Sequence, residues 1–300
     1  MNYIDENKIF FALFVTYNRS FTAMKFLRFF GLLSVLSLAV SCNDTNAIYA
    51  EIPVNDAVDA PPVAGQFHKN VLVEDYTGTW CGNCTRVSYG IELVEAATER
   101  AVVVAIHNGN DPYHFADYMP LKNLISPQND LELPQARLNR TITWVDPDTN
   151  VQDAINLTSN NCGLGIAMSS TVENNNINLD VNVKFAQNYS NLKLVVYVLE
   201  SKLIYPQINY SAIYYGGVHR IMNFEHNHVL RASLTNLLGN PISGTDFDQT
   251  VTTNFSVPVP ANIANSENLS FVAIVTDVNN NAINSRDAKP NEDQAFQENP

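Results

Sequence analysis

The chain has 300 residues, of which 46% are hydrophobic, and its 17 basic and 30 acidic residues give a formal net charge of −13. This length and composition predict two domains with enough apolar residues for a hydrophobic core. A surface this acidic repels phosphate backbones, which argues against nucleic acid as a partner.

The N-terminal region has the layout of an export signal. From Met24 the chain reads MKFLRFFGLLSVLSLAVSCND, in which Lys25 and Arg28 precede a short apolar run that ends in small residues and Cys42. Such a run is too short to span a bilayer comfortably, although an uncleaved membrane anchor is an alternative. Residues 1–42 are interpreted as an upstream extension followed by a signal, with the true start at Met24.

The end of this signal, LAVSC, resembles a bacterial lipoprotein signal, in which the cysteine becomes the lipidated N-terminus. The resemblance implies that Cys42 carries the lipid and that the protein associates with a membrane through it. Residues 43–68 contain three prolines and show neither a helical nor a strand period. They are predicted to be a tether between the lipid and the folded part.

Residues 69–160 alternate strand-like and helix-like segments. The continuous apolar run AVVVAI, at residues 101–106, predicts a strand that is buried on both faces. Helices are predicted at about residues 81–100, 116–125 and 151–157. Strands that alternate with helices predict an α/β domain with a partly parallel sheet.

From about residue 163 the pattern changes to strand-length segments rich in β-branched residues, such as INLDVNVKF and LKLVVYVLES, separated by asparagine-rich turns. About seven such strands without a convincing helix predict an all-β, immunoglobulin-like sandwich over residues 163–285. The polar residues 286–300 are predicted to be a disordered tail.

The segment EDYTGTWCGNCT, residues 74–85, carries the clearest chemical signal. A strand, a short turn, Cys-x-x-Cys and a helix follow one another, so the free N–H groups at the helix start would favour a thiolate. Cys81 is then the expected nucleophile, and Cys84 is the expected resolving thiol. Trp80 is expected to cover the pair and to leave one sulfur exposed.

This segment resembles the active-site segment of the thioredoxin superfamily, with Trp-Cys-Gly-x-Cys in place. The resemblance implies that Asp75 is a buried acid that helps to deprotonate Cys84, and that Pro134 is a cis-proline facing the cysteines. A solvated carboxylate at a strand end is the alternative for Asp75. Asn83 stands where thioredoxins have proline, which leaves the direction of electron flow open.

The cysteine pair has two other interpretations. A zinc site needs four ligands, and the sequence contains neither a second Cys-x-x-Cys nor a Cys-x-x-His motif. No metal and no cofactor are therefore predicted. A purely structural disulfide between Cys81 and Cys84, formed in an oxidising compartment, stays open beside the catalytic pair.

His107 follows the buried strand and is therefore expected at the carboxyl edge of the sheet, close to Cys81, Gly82 and Asn83. The alternative is a loop histidine with ordinary hydrogen bonds. Cys162 is left over after lipidation and pairing, and it is expected to be a buried thiol at the domain junction, with a mixed-disulfide or resolving role as the alternative.

Farther along the chain, His226 and His228 would share one face of a strand, a geometry that could chelate a metal. Surface histidines are the commoner alternative. The six residues HNHVLR, 226–231, nevertheless help to identify the chain.

The export signal, TGTWCGNC, the region of Pro134 ending in Asn139 and Arg140, and HNHVLR together resemble the 28-kilodalton outer-membrane-protein family of Bacteroidota-type bacteria. The resemblance covers about residues 69–285. It implies an outer-membrane or cell-surface lipoprotein with a thioredoxin-like domain followed by a β-sandwich, and it implies no established reaction. Members commonly have proline where this chain has Thr85, so the helix start is less firmly specified.

Two functional hypotheses follow. The first is a lipid-anchored thiol–disulfide oxidoreductase that exchanges disulfides with exported cysteine-containing proteins or with a redox partner. The second is a non-enzymatic binding or adhesion lipoprotein of the cell surface, in which the Cys81–Cys84 pair is a structural disulfide.

Overall fold

The computed structural model describes residues 65–128 and 130–300. The predictions for the export signal, for lipidation of Cys42 and for most of the tether fall outside this part. The described chain consists mostly of β-strands arranged in several sheets. None of its helices has the length and hydrophobicity needed to cross a membrane.

The strands, numbered in chain order, are β1 (Phe67–Lys69), β2 (Val71–Thr77), β3 (Ala101–His107), β4 (Gln135–Leu138), β5 (Ile142–Thr143), β6 (Ser159–Cys162), β7 (Leu164–Glu173), β8 (Asn176–Phe185), β9 (Lys193–Glu200), β10 (Leu203–Ile208), β11 (Arg220–His226), β12 (Val229–Ser233), β13 (Asn240–Pro241), β14 (Thr250–Pro258), β15 (Leu269–Thr276) and β16 (Ala282–Ala288). The α-helices are α1 (Thr85–Ala97), α2 (Met119–Ile125) and α3 (Val151–Ile155), and short 3₁₀ turns lie at Tyr214–Gly217 and Ser266–Asn268.

The largest sheet has nine strands, in the order β16-β15-β9-β12-β3-β2-β4-β5, with β13 paired to β9. Strands β2 and β3 are parallel, and β12 is parallel to β3, whereas β4 is antiparallel to β2. Because β12 pairs with β3 on one side and with β9 on the other, strands from both predicted domains belong to one sheet. The boundary predicted at residues 160–163 therefore does not separate two sheets.

Apolar side chains pack on both faces of this sheet. Helices α1 and α3 pack on β2 and β3 through a cluster that includes Val87, Val94 and Val103. The three-stranded sheet β14-β8-β7 packs against β9 and β15 through side chains such as Val181 and Phe271, a two-layer arrangement consistent with a β-sandwich. The residue Phe67, at the end of the predicted tether, is buried in this second core.

The first helix begins later than predicted. The prediction was about 81–100, whereas α1 begins at Thr85, with Cys84 as the residue that caps it. Residues 81–84 instead form a turn, in which the Cys84 N–H donates to the Cys81 carbonyl at 3.2 Å. Glycine and asparagine at the two central positions are poor helix formers, which favours the turn.

The prediction of a disordered tail at residues 286–300 is corrected by the structure. Arg286 lies within β16, and the following residues return to the β core. Asp293 forms a β-bridge with Ser169, and Glu298 forms one with Phe67. The tail is polar in sequence, but its backbone groups pair with strand edges, and composition alone does not reveal such edges.

Candidate functional site

The cysteine pair lies in the turn between β2 and α1. Cys81 and Cys84 form a disulfide with an S–S distance of 2.01 Å, in agreement with the predicted pairing. The expectation that one sulfur is exposed is wrong, because Cys81 is 5% exposed and Cys84 is 1% exposed. The pair is therefore placed at the start of a helix, as disulfide exchange requires, but it is closed to solvent.

The element that closes the site is the hairpin formed by β10 and β11, residues 203–226, called the covering hairpin below. Its Ile208 N–H donates to the Thr79 carbonyl at 2.9 Å, and its Tyr210 N–H donates to the Gly82 carbonyl at 2.8 Å. The Tyr210 ring lies so close to Gly82 that a Cβ there would come within 2.4 Å of it.

Trp80 is hydrogen-bonded to the loop after β3. The residue is 46% exposed, and its Nε1 donates to the Asn108 carbonyl at 2.9 Å. The indole lies against Gly78 and Gly109, on the loop side of the turn. The role that the sequence suggested for Trp80 belongs to the covering hairpin, which is more than 100 residues away along the chain.

Asp75 is a buried acid of β2. Its side chain is 3% exposed, so the alternative of a solvated carboxylate does not hold. Its Oδ1 atom has no hydrogen-bond partner among the described residues. Burial raises the pKa of Asp75 to about 8, because loss of hydration disfavours the charged form.

A small cavity of about 70 Å³ lies beside Asp75. Its lining includes Ser88 of α1 and Gln207 of the covering hairpin. Gln207 Nε2 donates to the Cys81 carbonyl at 3.0 Å, and Ser88 Oγ donates to the Cys84 carbonyl at 3.4 Å. The cavity thus connects the buried carboxyl with the residues that hold the cysteine turn.

His107 ends β3 and lines the same cavity. Its Nδ1 lies 3.1 Å from Asp111 Oδ2, and the same oxygen accepts a hydrogen bond from the Thr79 N–H. Burial raises the pKa of Asp111, but the hydrogen bond and charge of His107, together with the backbone N–H groups of Thr79 and Tyr113, outweigh burial and leave that pKa below its ordinary value. The His107–Asp111 pair therefore anchors the chain just before the cysteines.

Pro134 directly precedes β4, and the Leu133–Pro134 peptide bond is cis. Strand β4 is paired with β2, with Gln135 opposite Tyr76. The proline lines a shallow pocket together with Arg86 and Trp144. Its predicted role in shaping a peptide groove opposite the cysteines stays a prediction.

The two histidines of HNHVLR do not share a strand face. His226 ends β11, with Nε2 at 3.2 Å from the Tyr205 carbonyl, whereas His228 has a positive φ and pairs with Glu95 at 2.9 Å. Within residues 65–128 and 130–300, no group of three or more His, Cys, Asp and Glu side chains is arranged to hold a metal. Cys162 is a free thiol, 4% exposed, at the end of β6.

Sequence reasoning missed the residues of the covering hairpin that contact the site, Gln207, Asn209 and Tyr210, and the two tyrosines that fasten its tip, Tyr214 and Tyr215. The stretch QINYSAIYYGG, residues 207–217, is unusually rich in tyrosine for a connection between strands. That richness was the only signal, and it does not indicate which surface the tyrosines contact.

The comparisons with known proteins agree with the sequence resemblance. The family described as outer membrane protein Omp28 matches residues 128–294, more than half of the chain. HBP35 of Porphyromonas gingivalis is similar in structure, with a TM-score of 0.55 at 16% identity over 77% of this chain and 78% of that chain. At this identity the likeness concerns the fold alone.

A domain of the outer membrane lipoprotein Omp28 from Porphyromonas gingivalis covers 44% of this chain and 99% of its own length, at 18% identity, but its TM-score of 0.29 is too low for a structural argument. No curated protein matches the chain. The chain belongs to the Omp28 family of outer membrane proteins, which confirms both the predicted family and the predicted outer-membrane location.

Proposed function

We propose that the protein is a lipid-anchored envelope protein with a thioredoxin-like region, whose Cys81–Cys84 pair exchanges disulfides with exported proteins. The observation that carries this proposal is the buried carboxyl of Asp75, whose Oδ1 has no hydrogen-bond partner within the described residues and which lines one cavity with Ser88 and Gln207. A structural disulfide needs no such group, and an unpaired buried carboxyl reduces stability. Strained or unsatisfied groups of this kind are concentrated at functional sites.

The local architecture supports the same function. Strand β2, the cysteine turn and α1 follow one another, and β2 lies between parallel β3 and antiparallel β4 in the sheet. The cysteine turn lies at the start of α1, where the positive end of the helix dipole favours a thiolate over a thiol.

The exchange has two steps in the reducing direction. The Cys81 thiolate attacks a substrate disulfide, a mixed disulfide forms, the substrate S–S bond breaks, and the released substrate thiolate takes up a proton. Asp75 then removes the proton from Cys84, whose thiolate attacks the Cys81 sulfur. The mixed disulfide breaks, the second substrate sulfur leaves as a thiolate, and the substrate has gained two electrons.

The chain ends this cycle as the Cys81–Cys84 disulfide. Its return to the dithiol requires a dithiol donor in the envelope, and the reverse of the same steps oxidises a substrate dithiol. In either direction a proton moves on or off Cys84. A carboxyl with a pKa of about 8 suits this transfer, because it exchanges its proton close to neutral pH.

The test is to trap the mixed disulfide. Replacing the resolving thiol, Cys84→Ser, should accumulate adducts through Cys81 that a reductant releases. The matched control, Cys81→Ser with Cys84→Ser, retains Cys162 and should give none. If Cys84→Ser traps no protein, and the wild-type pair in the native protein also resists dithiothreitol, disulfide exchange is not the function.

The burial of both cysteines favours a second candidate, a non-enzymatic surface protein in which the pair is a structural disulfide. The two functions differ in the reduction potential of the pair. A structural disulfide stays oxidised in an excess of reduced glutathione, whereas an exchange site equilibrates with it. A redox titration of the native protein, with alkylation of the released thiols, decides between them.

The lipid anchor at Cys42 belongs to the same proposal, and membership of an outer membrane protein family supports it. One lipidated cysteine would tether the folded part without a membrane-spanning helix. Cys42→Ala should abolish incorporation of labelled fatty acid. If labelling persists in this variant, the lipid is not on Cys42.

A further inference from the structure

The covering hairpin contacts the cysteine turn as an extended peptide would. The N–H groups of Ile208 and Tyr210, two residues apart, donate to the carbonyls of Thr79 and Gly82, which flank Cys81. Backbone N–H groups two residues apart, at the end of β10 and just beyond it, thus pair with the chain around the disulfide. Proteins that bind extended peptides use this kind of main-chain recognition.

Two buried polar side chains make the contact specific. Gln207 and Asn209 are 3% and 1% exposed. Gln207 Nε2 donates to the carbonyls of Gly78 and Cys81, and Asn209 Oδ1 accepts from Thr85 Oγ1 at 2.9 Å. Buried amides and hydroxyls need hydrogen-bond partners, and the cysteine turn provides them. The hairpin is therefore matched to this turn, because a surface without these partners would leave Gln207 and Asn209 unsatisfied.

The hairpin is nevertheless a separate element. Strands β10 and β11 form their own two-stranded sheet and do not join the nine-stranded one. Large side chains such as Ile204, Tyr210, Ile213 and Met222 are more than half exposed, with values from 55% to 76%. A two-stranded hairpin with so little apolar burial depends on its docking contacts, and elements of this kind open without global unfolding.

The tip of the hairpin is fastened to α1 and to the loop before α3. Tyr214 stacks on Tyr89 with ring centroids 4.5 Å apart, and its hydroxyl donates to Asp148. The Tyr215 hydroxyl donates to Glu92 Oε1 at 2.7 Å. These contacts hold the hairpin closed from a place that does not touch the cysteines.

We propose that the covering hairpin is a lid that occupies the place of an extended substrate segment, and that the Cys81–Cys84 pair reacts with a protein only when the lid opens. This inference rests on the proposed function and deepens it. The substrate class follows from the lid itself: an extended polypeptide segment that presents backbone N–H groups to the carbonyls of Thr79 and Gly82 in place of residues 208–210.

The experiment measures how fast dithiothreitol reduces the Cys81–Cys84 disulfide in the native protein, with alkylation of the released thiols and mass spectrometry. The variant Tyr214→Phe with Tyr215→Phe removes two hydroxyl bonds at the tip and leaves every contact with the cysteine turn in place. We expect reduction to accelerate at least tenfold. An unchanged rate overturns the lid.

The control is Tyr205→Phe, in the same hairpin and away from the cysteine turn. Its hydroxyl makes no hydrogen bond within the described residues, so reduction should stay at the wild-type rate; an equal acceleration by this variant would overturn the lid. Alkylation of the buried Cys162 is followed in the same samples as a report on global opening. If Cys162 also reacts faster in the tip variant, hydrogen exchange of the β10 and β11 amides is measured instead of the reduction rate. The lid then predicts faster exchange in these two strands and unchanged exchange elsewhere; without this selective change the lid is overturned.

The lid and the proposed function can fail separately. In the Cys84→Ser background the tip variant should trap more adducts than the closed protein. If the tip variant is reduced faster but traps no adduct, the hairpin covers a disulfide that does not exchange with other proteins. This outcome overturns the proposed function, and with it the regulation of that function by the lid. If adducts form in equal amounts with and without the tip hydroxyls, disulfide exchange is supported and the lid is overturned.

Discussion

Glu74 and Asp75 are adjacent acids of β2 that are both buried, and only Glu74 has a charged partner. Glu74 Oε1 accepts two hydrogen bonds from Arg140, at 3.0 Å and 2.8 Å, whereas Asp75 Oδ1 accepts none within the described residues. Adjacent residues of a strand point to opposite faces of the sheet. One face therefore uses its acid to hold the core together, and the other places its acid beside the cysteine turn.

The first prediction concerns the Glu74–Arg140 pair. Arg140→Met should reduce the free energy of unfolding by about 3–5 kcal/mol, because it leaves a carboxylate buried without a partner. The double variant with Glu74→Leu should recover much of that loss, since both charges are then gone. Urea denaturation of the three proteins measures the effect. A single variant as stable as the wild type would mean that water reaches Glu74.

The second prediction is a pH dependence caused by Asp75. Burial raises its pKa from 3.8 to about 8, so between these values the folded protein holds a proton that the unfolded chain has released. The contribution of Asp75 to stability is therefore lost as the pH rises from 4 to 8. Asp75→Asn should be more stable than wild type at pH 8, by on the order of a few kcal/mol, and similar at pH 4.

Denaturation at both pH values measures this difference. Asp153→Asn, at an exposed position of α3, is the control and should shift neither value by more than about 0.5 kcal/mol. The same Asp75→Asn protein should reduce a model disulfide more slowly if Asp75 assists Cys84. If Asp75→Asn gains stability but reduces the model disulfide at the wild-type rate, Asp75 takes no part in the exchange reaction.

The local parts of this site could be predicted from the sequence. The apolar run at 101–106 became β3, Ala101–His107, and the spacing of Cys81 and Cys84 gave the observed disulfide. Such features depend on neighbours within a few residues, through strand periodicity and turn geometry. The coarse expectation of a β-rich second half holds for the same reason.

The non-local parts could not be predicted. The pairing of Val229 with Ala105 merges strands from the two predicted domains into one sheet, and the hydrogen bond from Ile208 to Thr79 closes the site. Periodicity identifies a strand but not its partner across more than 100 residues. The hydrogen bond from Trp80 to the Asn108 carbonyl could not be predicted for the same reason, since it joins two loops 28 residues apart.

The third prediction reverses the usual effect of glycine in a helix. Gly90 lies in α1, where alanine normally stabilises by about 1 kcal/mol. Here a Cβ would come within 2.7 Å of the Pro147 backbone, which cannot rotate away as a side chain would. Gly90→Ala should therefore destabilise the protein by about 1–3 kcal/mol through overpacking.

The control for Gly90 is Ala96→Gly, on the exposed side of the same helix. It should cost about 1 kcal/mol through helix propensity alone. The two substitutions change composition in opposite directions, and both are expected to destabilise. A Gly90→Ala protein that is more stable than wild type would show that the loop at Pro147 yields to the added methyl group.

The fourth prediction concerns acid sensitivity at the end of the covering hairpin. Burial and the neighbouring His107 lower the pKa of His226 to about 4, from an ordinary value of 6.5. Between pH 6.5 and about pH 4, His226 is therefore protonated in the unfolded chain but neutral in the folded protein. Stability contributed by neutral His226 is complete above pH 6.5 and is lost as the pH falls toward 4.

His226→Gln should flatten this dependence, because glutamine does not titrate and can still donate to the Tyr205 carbonyl. Wild type should lose on the order of 2–3 kcal/mol more than the variant between pH 7 and pH 4. His219→Gln, at an exposed position of the same hairpin, is the matched control and should follow the wild-type curve.

Since His226 ends β11, acid should also speed reduction of the Cys81–Cys84 disulfide by small neutral phosphines, and His226→Gln should remove that acceleration. Parallel curves for wild type and His226→Gln would mean that the imidazole stays hydrated, and that β11 is held by its backbone pairing with β10 alone.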